Sequence, residues 1–513
     1  MVLIVIVGGG GGYLYYVTHD LNRIEVRGLN GALTKGQEAG TENILMVGST
    51  SRCALTKQDA SYGLCQGSAT SAPVNGVNSD VMMILHADPA HHRLALLSIP
   101  RDLFIPNARS EGANKIDAGL YQGLTQLVAA IQEDFGIPIQ HAVSLNFDQF
   151  ANVVDALGGI NMSFPVSVFD WGGSPPPNGT GSSGLNVQAA TCVHLNGVQA
   201  LQVVRARHLR YKTVGASSVP YYWTQEAQSD LARIRRDHEF LRVLGSAVAK
   251  QGLGDPITDL NLINSVKADL TFDQSWPVND MANLALDFHS VSVNAVPQLT
   301  LPVAVVFDPA GPSGNYIYKG GDYNAVEFTA PQDQSAINQT LGIGPTTDSM
   351  TGDPLPIPSS VSLSVMNGTG AANQAADTSS ALAALGFHTV GAADVTPVGD
   401  LAETVVYYGS HAPGVEAAAE SVARSMSGSV VMGYDPSQVT SGAQVTVVTG
   451  TQFAVDAPTA PTTPSAAAST AAPASSATGA IAAPSPSTSK LQAWDPRACP
   501  TGATPTAPVP NST

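Results

Sequence analysis

The chain has 513 residues, of which 43% are hydrophobic and only 12% are charged, and its formal net charge is −17. This length exceeds what one hydrophobic core supports, so we expect two or more globular domains joined by linkers. The acidic balance argues against general nucleic-acid binding, because such binding needs a basic surface that displaces counterions from phosphates.

The first predicted element is residues 1–17, which are apolar and uncharged. As a helix they would be about 25 Å long, slightly short of what a bilayer requires. No basic segment precedes them and no small-residue cleavage site follows. They fit a transmembrane signal anchor whose basic upstream part is absent from this sequence, with a buried N-terminal strand as the alternative. An anchor would place the remaining chain outside the cytoplasm, where disulfides persist.

The four cysteines are Cys53, Cys65, Cys192 and Cys499, and their spacing does not resemble a zinc site. Cys53 and Cys65 flank a Gly/Ser-rich loop, and a disulfide between them would contribute about 3 kcal/mol. Free buried thiols are the alternative, and four cysteines allow three pairings. A Cys192–Cys499 bond would complete the Cys53–Cys65 pairing, although Cys499 lies in a low-complexity tail.

Two short apolar segments, 81–86 and 94–99, predict a hairpin that is buried on both faces. Asp80 enters its first strand, and Arg101 and Asp102 follow its second. Because a hairpin returns its ends to the same edge of a sheet, we expect these three residues to lie close together. Two carboxylates and a guanidinium at one sheet edge indicate an anion site, which could include a metal.

Strands and helices alternate through the first three hundred residues. The pattern predicts further strands over 42–48, 141–146 and 160–164, and helices over 119–135 and 147–157. This alternation is typical of an α/β or α+β three-layer sandwich with a central mixed sheet. The apolar faces of the two helices could line a slot for a lipid tail, or they could be ordinary core.

Arginines are concentrated in one part of this acidic chain. Their local clustering favours binding of a specific anion. Arg205 and Arg207 are two residues apart, so on a predicted strand they would face the same way. A helix over 229–250 would carry Arg233, Arg236 and Asp237 on one face. The other arginines between residues 205 and 242 are Arg210, Arg235 and Arg242. For Arg235 and Arg242 we favour ordinary solvated helix charge.

The remaining chain is predicted to hold a linker, a second domain and a tail. Residues 311–357 are rich in Gly, Pro and Asp and predict a linker. Strands and helices over 358–450 predict a smaller α/β domain without clustered ionisable groups. Residues 457–513 are rich in Ala, Pro, Ser and Thr and too poor in large apolar side chains to form a core, so we expect a disordered tail.

Residues 42–305 resemble the LytR–CpsA–Psr (LCP) family of cell-wall glycopolymer ligases, with motifs in the family's order. The matching stretches are Asn43-Ile44-Leu45-Met46-Val47-Gly48 with Arg52, Ser79-Asp80, Ser98-Ile99-Pro100-Arg101-Asp102, Asn114-Lys115-Ile116, Asp155-Ala156-Leu157-Gly158-Gly159-Ile160, Leu195-Asn196-Gly197 with Gln199-Ala200-Leu201, Arg205-x-Arg207 and Asp230-Leu231-Ala232-Arg233-Ile234. The second domain resembles the C-terminal domain often attached to such proteins, through Val365-Met366-Asn367-Gly368-Thr369-Gly370 and Val406-Tyr407-Tyr408-Gly409.

The resemblance implies a single-pass cell-membrane protein whose bulk is extracytoplasmic. It implies a phosphotransferase that moves a glycopolymer from a polyprenyl diphosphate carrier to the C6 hydroxyl of muramic acid in peptidoglycan. Hydrolysis of the diphosphate would be a side activity, or the main reaction if water replaces the sugar hydroxyl. The implied partners are the lipid-linked glycopolymer, peptidoglycan and the membrane, with no nucleic acid.

The resemblance also implies roles for individual residues. Bidentate arginines match the charged oxygens of a diphosphate. Binding of the diphosphate and neutralisation of transition-state charge are accordingly assigned to Arg52, Arg101, Arg205, Arg207 and Arg233. Asp80 would bind Mg²⁺ or Mn²⁺. Asp102 would orient arginines or activate the acceptor hydroxyl, and Lys115 would assist the leaving phosphate.

Three positions depart from the family's pattern. Thr50 stands where an Asp is usual, Asn78 where an Arg is usual, and Asp237 where a Gln is frequent. The change at Thr50 removes one expected metal ligand, and Asp237 could supply the lost carboxylate at the substrate site. The same departures support a second hypothesis, in which the chain is a catalytically weak scaffold that binds lipid-linked glycopolymer or the wall.

Overall fold

The structure is a computed structural model that describes residues 21–30, 40–49, 77–170, 183–226, 229–250, 270–288, 291–306, 315–323, 326–330, 333–393, 402–456 and 491–511. The predicted anchor over 1–17, Thr50, Arg52 and the Cys53–Cys65 pair lie outside these ranges. Within them, no helix has the length and hydropathy needed to cross a bilayer.

The strands, in chain order, are β1 (Asn22–Ile24), β2 (Glu42–Ser49), β3 (Ser79–Asp88), β4 (Arg93–Ile99), β5 (Phe104–Arg109), β6 (Gly112–Lys115), β7 (His141–Leu145), β8 (Ile160–Phe164), β9 (Val168–Asp170), β10 (Asn186–Val187), β11 (Ala190–Leu195), β12 (Leu209–Tyr211), β13 (Thr224–Gln225), β14 (Thr271–Asp273), β15 (Gln298–Thr300), β16 (Val303–Val306), β17 (Tyr316–Tyr318), β18 (Gly321–Tyr323), β19 (Val326–Thr329), β20 (Ser362–Asn367), β21 (His388–Ala393), β22 (Thr404–Tyr408), β23 (Met426–Gly428), β24 (Val430–Tyr434), β25 (Val445–Thr449), β26 (Phe453–Val455) and β27 (Arg497–Ala498). The α-helices are α1 (Leu124–Phe135), α2 (Phe147–Ala156), α3 (Gly197–Arg205), α4 (Ser229–Lys250), α5 (Val278–Phe288), α6 (Asp333–Leu341), α7 (Gln374–Ala384) and α8 (Pro413–Ala423).

The first domain is built on a seven-stranded sheet in the order β1-β14-β7-β2-β3-β4-β15. Its neighbours include parallel pairs, such as β2 with β7, and antiparallel pairs, such as β3 with β4. Successive residues of β2 point into different cores, since Ile44 packs with α2 and α4 whereas Leu45 packs with α1. Helices therefore cover both faces of the sheet, and the predicted three-layer sandwich with a central mixed sheet is confirmed.

The predicted helix over 119–135 is wrong at its start. Residues Ile116–Gln122 form a 3-10 helix, and α1 begins only at Leu124. Gly123 separates the two with φ of 97°, a left-handed value that a helix cannot contain. The apolar spacing continues across this break, which is why the sequence pattern did not show it.

The linker prediction is wrong for much of 311–357. Strands β17 to β19 and helix α6 fall within this stretch, and Tyr316, Phe328 and Ile337 are buried in the core on the α1 face of the sheet. The ring of Phe104 packs edge-on against Tyr316 and Phe328, with centroids 5.2 and 6.2 Å away. These strands are too short for a clear alternating pattern, and Gly and Pro between them mimic a linker.

The second domain contains the five-stranded sheet β21-β20-β25-β22-β24, which confirms the predicted smaller α/β domain. It packs on the α1 side of the first domain, where Val405 and Val431 join that domain's core. Asn107 links the two by donating to the main-chain oxygen of Tyr434 (2.9 Å) and accepting from its amide (3.0 Å).

The disordered-tail prediction is wrong for residues 491–511, while 457–490 lie outside the described residues. The segment docks on the first domain, where β27 pairs with β8. A disulfide joins Cys192 to Cys499 with Cα atoms 5.2 Å apart, which confirms this predicted pairing. The Asn511 amide donates to the main-chain oxygen of Val168 (3.0 Å). Composition did not reveal this, because a covalent bond and individual polar contacts hold the segment, not a large apolar content.

We expect the stability of the domain interface to depend on the pH through Glu403. Burial of its carboxyl raises the pKa to about 8, although bonds from Thr329 partly oppose this. Because the folded pKa lies above the unfolded value, the stabilisation is complete below the unfolded pKa and is lost as the pH rises towards 8. The measurement is the unfolding free energy from denaturant titrations between pH 5.5 and 7.5. In this range it should fall with pH less steeply in Glu403→Gln than in the wild type, by about 1 kcal/mol per pH unit.

Glu111→Gln is the matched control, since this glutamate is exposed. It should leave the pH slope of the wild type unchanged. Parallel curves for the wild type and Glu403→Gln would contradict the assignment to Glu403.

Candidate active site

The ends of the β3–β4 hairpin meet as the sequence predicted. Asp80 lies at the start of β3, and Arg101 follows β4. The Arg101 guanidinium donates a hydrogen bond to Asp80 Oδ1 in a close ion pair. The antiparallel register, with Met82 opposite Ile99, is what brings them together.

Asp102 is buried beside three cationic side chains. Its Oδ1 accepts a hydrogen bond from Lys115 Nζ at 2.8 Å. Its Oδ2 lies 3.6 Å from Arg101 Nε and 3.5 Å from Arg207 Nη2. The carboxylate therefore holds side chains from three separate parts of the chain at one place.

Helix α4 adds a buried arginine to this cluster. Arg233 Nη2 donates to the main-chain oxygen of Asp80 at 2.5 Å, and its Nη1 lies 3.7 Å from Asp80 Oδ1. Asp237 follows one helical turn later and is also buried. Both side chains face the same cavity as Asp80.

Arg205 and Arg207 reach the cluster in a way that differs from the prediction. They do not lie on a strand, because Arg205 is the last residue of α3 and Ala206 is its C-cap. The Arg205 guanidinium lies over the Phe147 ring, 4.5 Å from its centroid, a favourable cation–π contact. Arg207 comes after the helix, where it approaches Asp102.

The electrostatics of Asp80 reflect this convergence. Burial of its carboxyl raises the pKa, but the positive charges of Arg233, Arg101, Arg207 and Arg205 outweigh that effect and leave the pKa below its ordinary value. Four guanidinium groups that are distant in sequence thus act on one carboxylate. Such a concentration of positive charge favours an anionic ligand.

A cavity of about 210 Å³ opens beside the cluster. Asp80, Arg205, Arg233 and Asp237 are its charged lining residues. Its apolar lining includes Met83, Leu85, Leu94, Leu96, Phe150, Val153, Val154, Leu201, Val204, Phe240, Leu241 and Leu244. Along α4 the lining changes from Arg233 to Leu244 over about 16 Å, so charge lies at one end and apolar walls follow.

The two helices proposed as walls of a lipid slot behave differently. Helix α2 lines the cavity through Phe147, Phe150, Val153 and Val154. For the helix predicted over 119–135 the alternative, ordinary core, is correct, because α1 packs on the opposite face of the sheet and contributes no residue to the cavity lining. Its apolar side is ordinary core.

Asp117 also lies beside the cluster, although no sequence motif identified it as a site residue. It is buried, and its amide donates to the main-chain oxygen of Arg101 (3.2 Å). Burial of its carboxyl, together with the negative charges of Asp102 and Asp80, raises the pKa to about 6 against the opposing positive charges of Arg101 and Lys115. Its position two residues after Lys115 was the available signal.

Within the described residues, no group of three or more His, Cys, Asp or Glu side chains forms a ready metal site. Mg²⁺, however, is usually held by one or two carboxylates together with substrate phosphates. Asp80 and Asp237 line the same cavity and provide that number of carboxylates. The residues present therefore fit a Mg²⁺ that is completed by a phosphate ligand.

The cavity has apolar walls and an arginine-rich end, so its lining is complementary to an amphiphile with an anionic head group. The family model for the LytR_cpsA_psr family matches residues 18–334, more than half of the chain. The protein therefore belongs to this family, which confirms the resemblance. A second model, described as LytR cell envelope-related transcriptional attenuator, matches residues 360–453.

Among similar proteins, the probable cell wall biosynthesis protein LcpB of Corynebacterium glutamicum is 29% identical over 290 residues, covering 56% of this chain and 60% of that protein. The polyisoprenyl-teichoic acid–peptidoglycan teichoic acid transferase TagU of Bacillus mycoides is 25% identical over 207 residues, covering 39% of this chain and 57% of that protein. The chain thus spans about three fifths of the length of these relatives.

Solved structures with a similar fold include the LytR-Csp2A-Psr enzyme from Actinomyces oris, with 22% identity and a TM-score of 0.41 over 56% of this chain and 89% of that one. Another is TagT bound to LI-WTA, with 18% identity and a TM-score of 0.38 over 63% of this chain and all of that one (100%).

Proposed function

We propose that the protein is an extracytoplasmic phosphotransferase that moves a glycopolymer from a polyprenyl diphosphate carrier to the C6 hydroxyl of muramic acid in peptidoglycan. The observation that carries this proposal is the junction of the arginine cluster with the apolar cavity. A polyprenyl diphosphate has an apolar tail and a multiply charged head, and both parts find complementary surfaces there. Membership of a family that includes a probable cell wall biosynthesis protein supports the same proposal.

The proposed reaction forms one bond and breaks another at phosphorus. The acceptor hydroxyl oxygen bonds to the sugar-linked phosphorus, and the bond from that phosphorus to the bridging oxygen breaks with its electron pair staying on the oxygen. Polyprenyl phosphate leaves and takes up the proton that the hydroxyl loses. Negative charge on the phosphate oxygens is stabilised by Arg101, Arg205, Arg207 and Arg233, whose positions the protein fixes in advance. A peptidoglycan hydroxyl, not water, accepts the phosphoryl group in the main reaction.

Three further residues have roles in this proposal. Because Arg101, Lys115 and Arg207 all lie against Asp102, its proposed role is to orient these cationic side chains. Lys115 is held by Asp102 and supplies positive charge for the leaving phosphate. Arg52 is proposed to bind the diphosphate through its family motif alone, since it lies outside the described residues.

We propose Mg²⁺, or Mn²⁺ in its place, as the cofactor, with Asp80 and Asp237 as its protein ligands. When bound, the ion neutralises phosphate charge. Asp237→Asn is expected to lower Mg²⁺ affinity about tenfold in calorimetric titrations that contain inorganic pyrophosphate. The control Asp287→Asn removes an exposed carboxylate of α5 and should bind Mg²⁺ as the wild type does. Unchanged affinity in Asp237→Asn would remove this residue from the metal site.

The proposed location is the cell membrane, with residues 1–17 as a single-pass anchor and the bulk of the chain in the envelope. Peptidoglycan and a membrane-borne carrier are both accessible from that side. The proposed anchor follows from its apolar composition. Fusing a reporter to the C-terminus and testing its exposure to protease in intact cells would check this orientation.

The decisive test uses the full chain in lipid bilayers with a lipid-linked glycopolymer and peptidoglycan oligomers. The expected products are glycopolymer joined to peptidoglycan through a phosphodiester, detected by mass spectrometry, and an equal amount of polyprenyl phosphate. Binding of the donor without turnover would instead favour the scaffold function. Release of glycopolymer phosphate into water, with no transfer, would make hydrolysis the main reaction.

A further inference from the structure

The docked C-terminal segment, residues 491–511, lies near the arginine cluster, on the side of α4 opposite the cavity. It crosses the face of α4 that points away from the cavity, since Ala498 N donates to Glu239 of α4 at 2.9 Å. Trp494 stacks on Tyr211 of β12, with ring planes 1° apart and centroids 4.2 Å apart. The segment therefore contacts both the helix that carries Arg233 and the strand that follows Arg207.

A buried ion pair connects this segment to α4. The side chain of Asp495 has no exposed surface, and it binds Arg235 through two hydrogen bonds, of 2.6 Å to Nε and 3.2 Å to Nη2. The interpretation of Arg235 as a solvated charge is therefore wrong. The partner is 260 residues away in sequence, which is why helical spacing did not reveal it.

The ion pair continues towards the active site through a shared carboxylate. Arg235 Nη2 lies 3.8 Å from Glu226 Oε2, and the other oxygen of Glu226 accepts a hydrogen bond from Arg236 Nη1 at 2.5 Å. Arg236 is fully buried, and its Nη2 donates to the main-chain oxygen of Ala206. The chain of contacts thus ends on the residue between Arg205 and Arg207.

The contacts fix the backbone segment that carries these two arginines at both ends. Arg236 holds Ala206, while Trp494 packs on Tyr211. Glu226 also joins the two, because its amide donates to the main-chain oxygen of Leu209 (3.0 Å). Displacing a catalytic group by about 1 Å can cost two orders of magnitude in rate. The rigidity of this backbone segment therefore affects how precisely Arg205 and Arg207 are positioned for the proposed reaction.

We infer that Asp495 is a positioning residue that holds Arg205 and Arg207 in place through Arg235, Glu226 and Arg236. The inference rests on the proposed function for its effect on phosphate binding. Without the charge of Asp495, Arg235 turns to Glu226 and competes with Arg236 for it. Arg236 then loosens its hold on Ala206, and the arginine pair loses its fixed geometry. Removing one partner of a buried charge network disturbs the others, because their charges remain buried.

The test compares three variants of the full chain by amide hydrogen exchange and by binding of inorganic pyrophosphate. Asp495→Asn is expected to speed exchange in peptides covering residues 203–211 and to weaken pyrophosphate binding about tenfold. The double variant Asp495→Asn with Arg235→Gln removes the competing charge, so both properties should return to within about twofold of the wild type. Asn511→Ala disturbs the docked segment away from the network, and should speed exchange only near residues 168 and 186.

The outcomes are distinguishable. Wild-type exchange and affinity in Asp495→Asn would overturn the inference. Faster exchange throughout the domain, with no recovery in the double variant, would also overturn it, because Asp495 would then serve stability alone. If wild-type protein does not bind pyrophosphate while the exchange pattern and its rescue appear as expected, the positioning role stands and the proposed function fails.

Discussion

Replacing Arg207 with glutamine is expected to lower the rate of glycopolymer transfer by about 10²–10³-fold, or about 3–4 kcal/mol of transition-state stabilisation. Its guanidinium is one of four whose charges act on Asp80, and its side chain retains 30% exposure, so a ligand can reach it. Glutamine keeps a hydrogen-bond donor but loses the charge that phosphoryl transfer requires. The measurement is the single-turnover rate with bilayer-bound donor and peptidoglycan oligomers.

The matched control is Arg210→Gln, which removes the same charge three residues further on. Arg210 lies 5.0 Å from the Tyr221 ring centroid and donates to the main-chain oxygen of Trp223 (3.1 Å). It is therefore directed away from Asp80, and its loss should change the rate by less than about threefold. Equal losses in the two variants would mean that general positive charge, and not this cluster, supports the reaction.

The proximity of Asp80, Arg101 and Asp102 could be predicted from the sequence because it depends on the geometry of one hairpin. A hairpin must return its ends to one edge, so Asp80, Arg101 and Asp102 were expected together, and they are. Lys115 joins them through Asp102, as its place in the shared motif suggested. The register of the β3–β4 hairpin limits where these side chains can lie.

Other features depend on partners that no local pattern specifies. The docking of residues 491–511 depends on Cys192, and the burial of Arg235 depends on Asp495. Both contacts span hundreds of residues. The cysteine count offered Cys192–Cys499 among its three pairings, whereas composition carries no signal for the Arg235–Asp495 ion pair.

Sequence patterns also could not predict which helix lines the cavity. Helices α1 and α2 both present an apolar stripe to the sheet, and their patterns are alike. Only packing distinguishes them, since the helices on the α2 face leave a space between them whereas α1 fits closely against the other face. An apolar stripe predicts burial, and it does not tell whether the buried surface meets protein or a ligand.

Replacing Leu241 with aspartate is expected to weaken binding of a polyprenyl phosphate about a hundredfold, or about 2.7 kcal/mol. Leu241 lines the cavity on α4 and lies two turns beyond Arg233, where a lipid tail would pass. An ionised carboxylate there must lose its water when the tail enters, and it finds no hydrogen-bond partner in the lipid. The residue is only half-buried, so the empty protein can keep the charge solvated.

Ser246→Asp is the matched control, because it adds the same charge to the same helix at a position that does not line the cavity. It should bind polyprenyl phosphate as the wild type does. Inorganic pyrophosphate lacks a tail, so its binding should be within about twofold of wild type in both variants. The difference between lipid binding and pyrophosphate binding tests the assignment of the cavity as the tail site. If Leu241→Asp keeps its affinity for polyprenyl phosphate, or loses affinity for pyrophosphate to the same extent, the apolar cavity is not the tail site. In that case the arginine cluster would have to act on an anion that has no lipid attached.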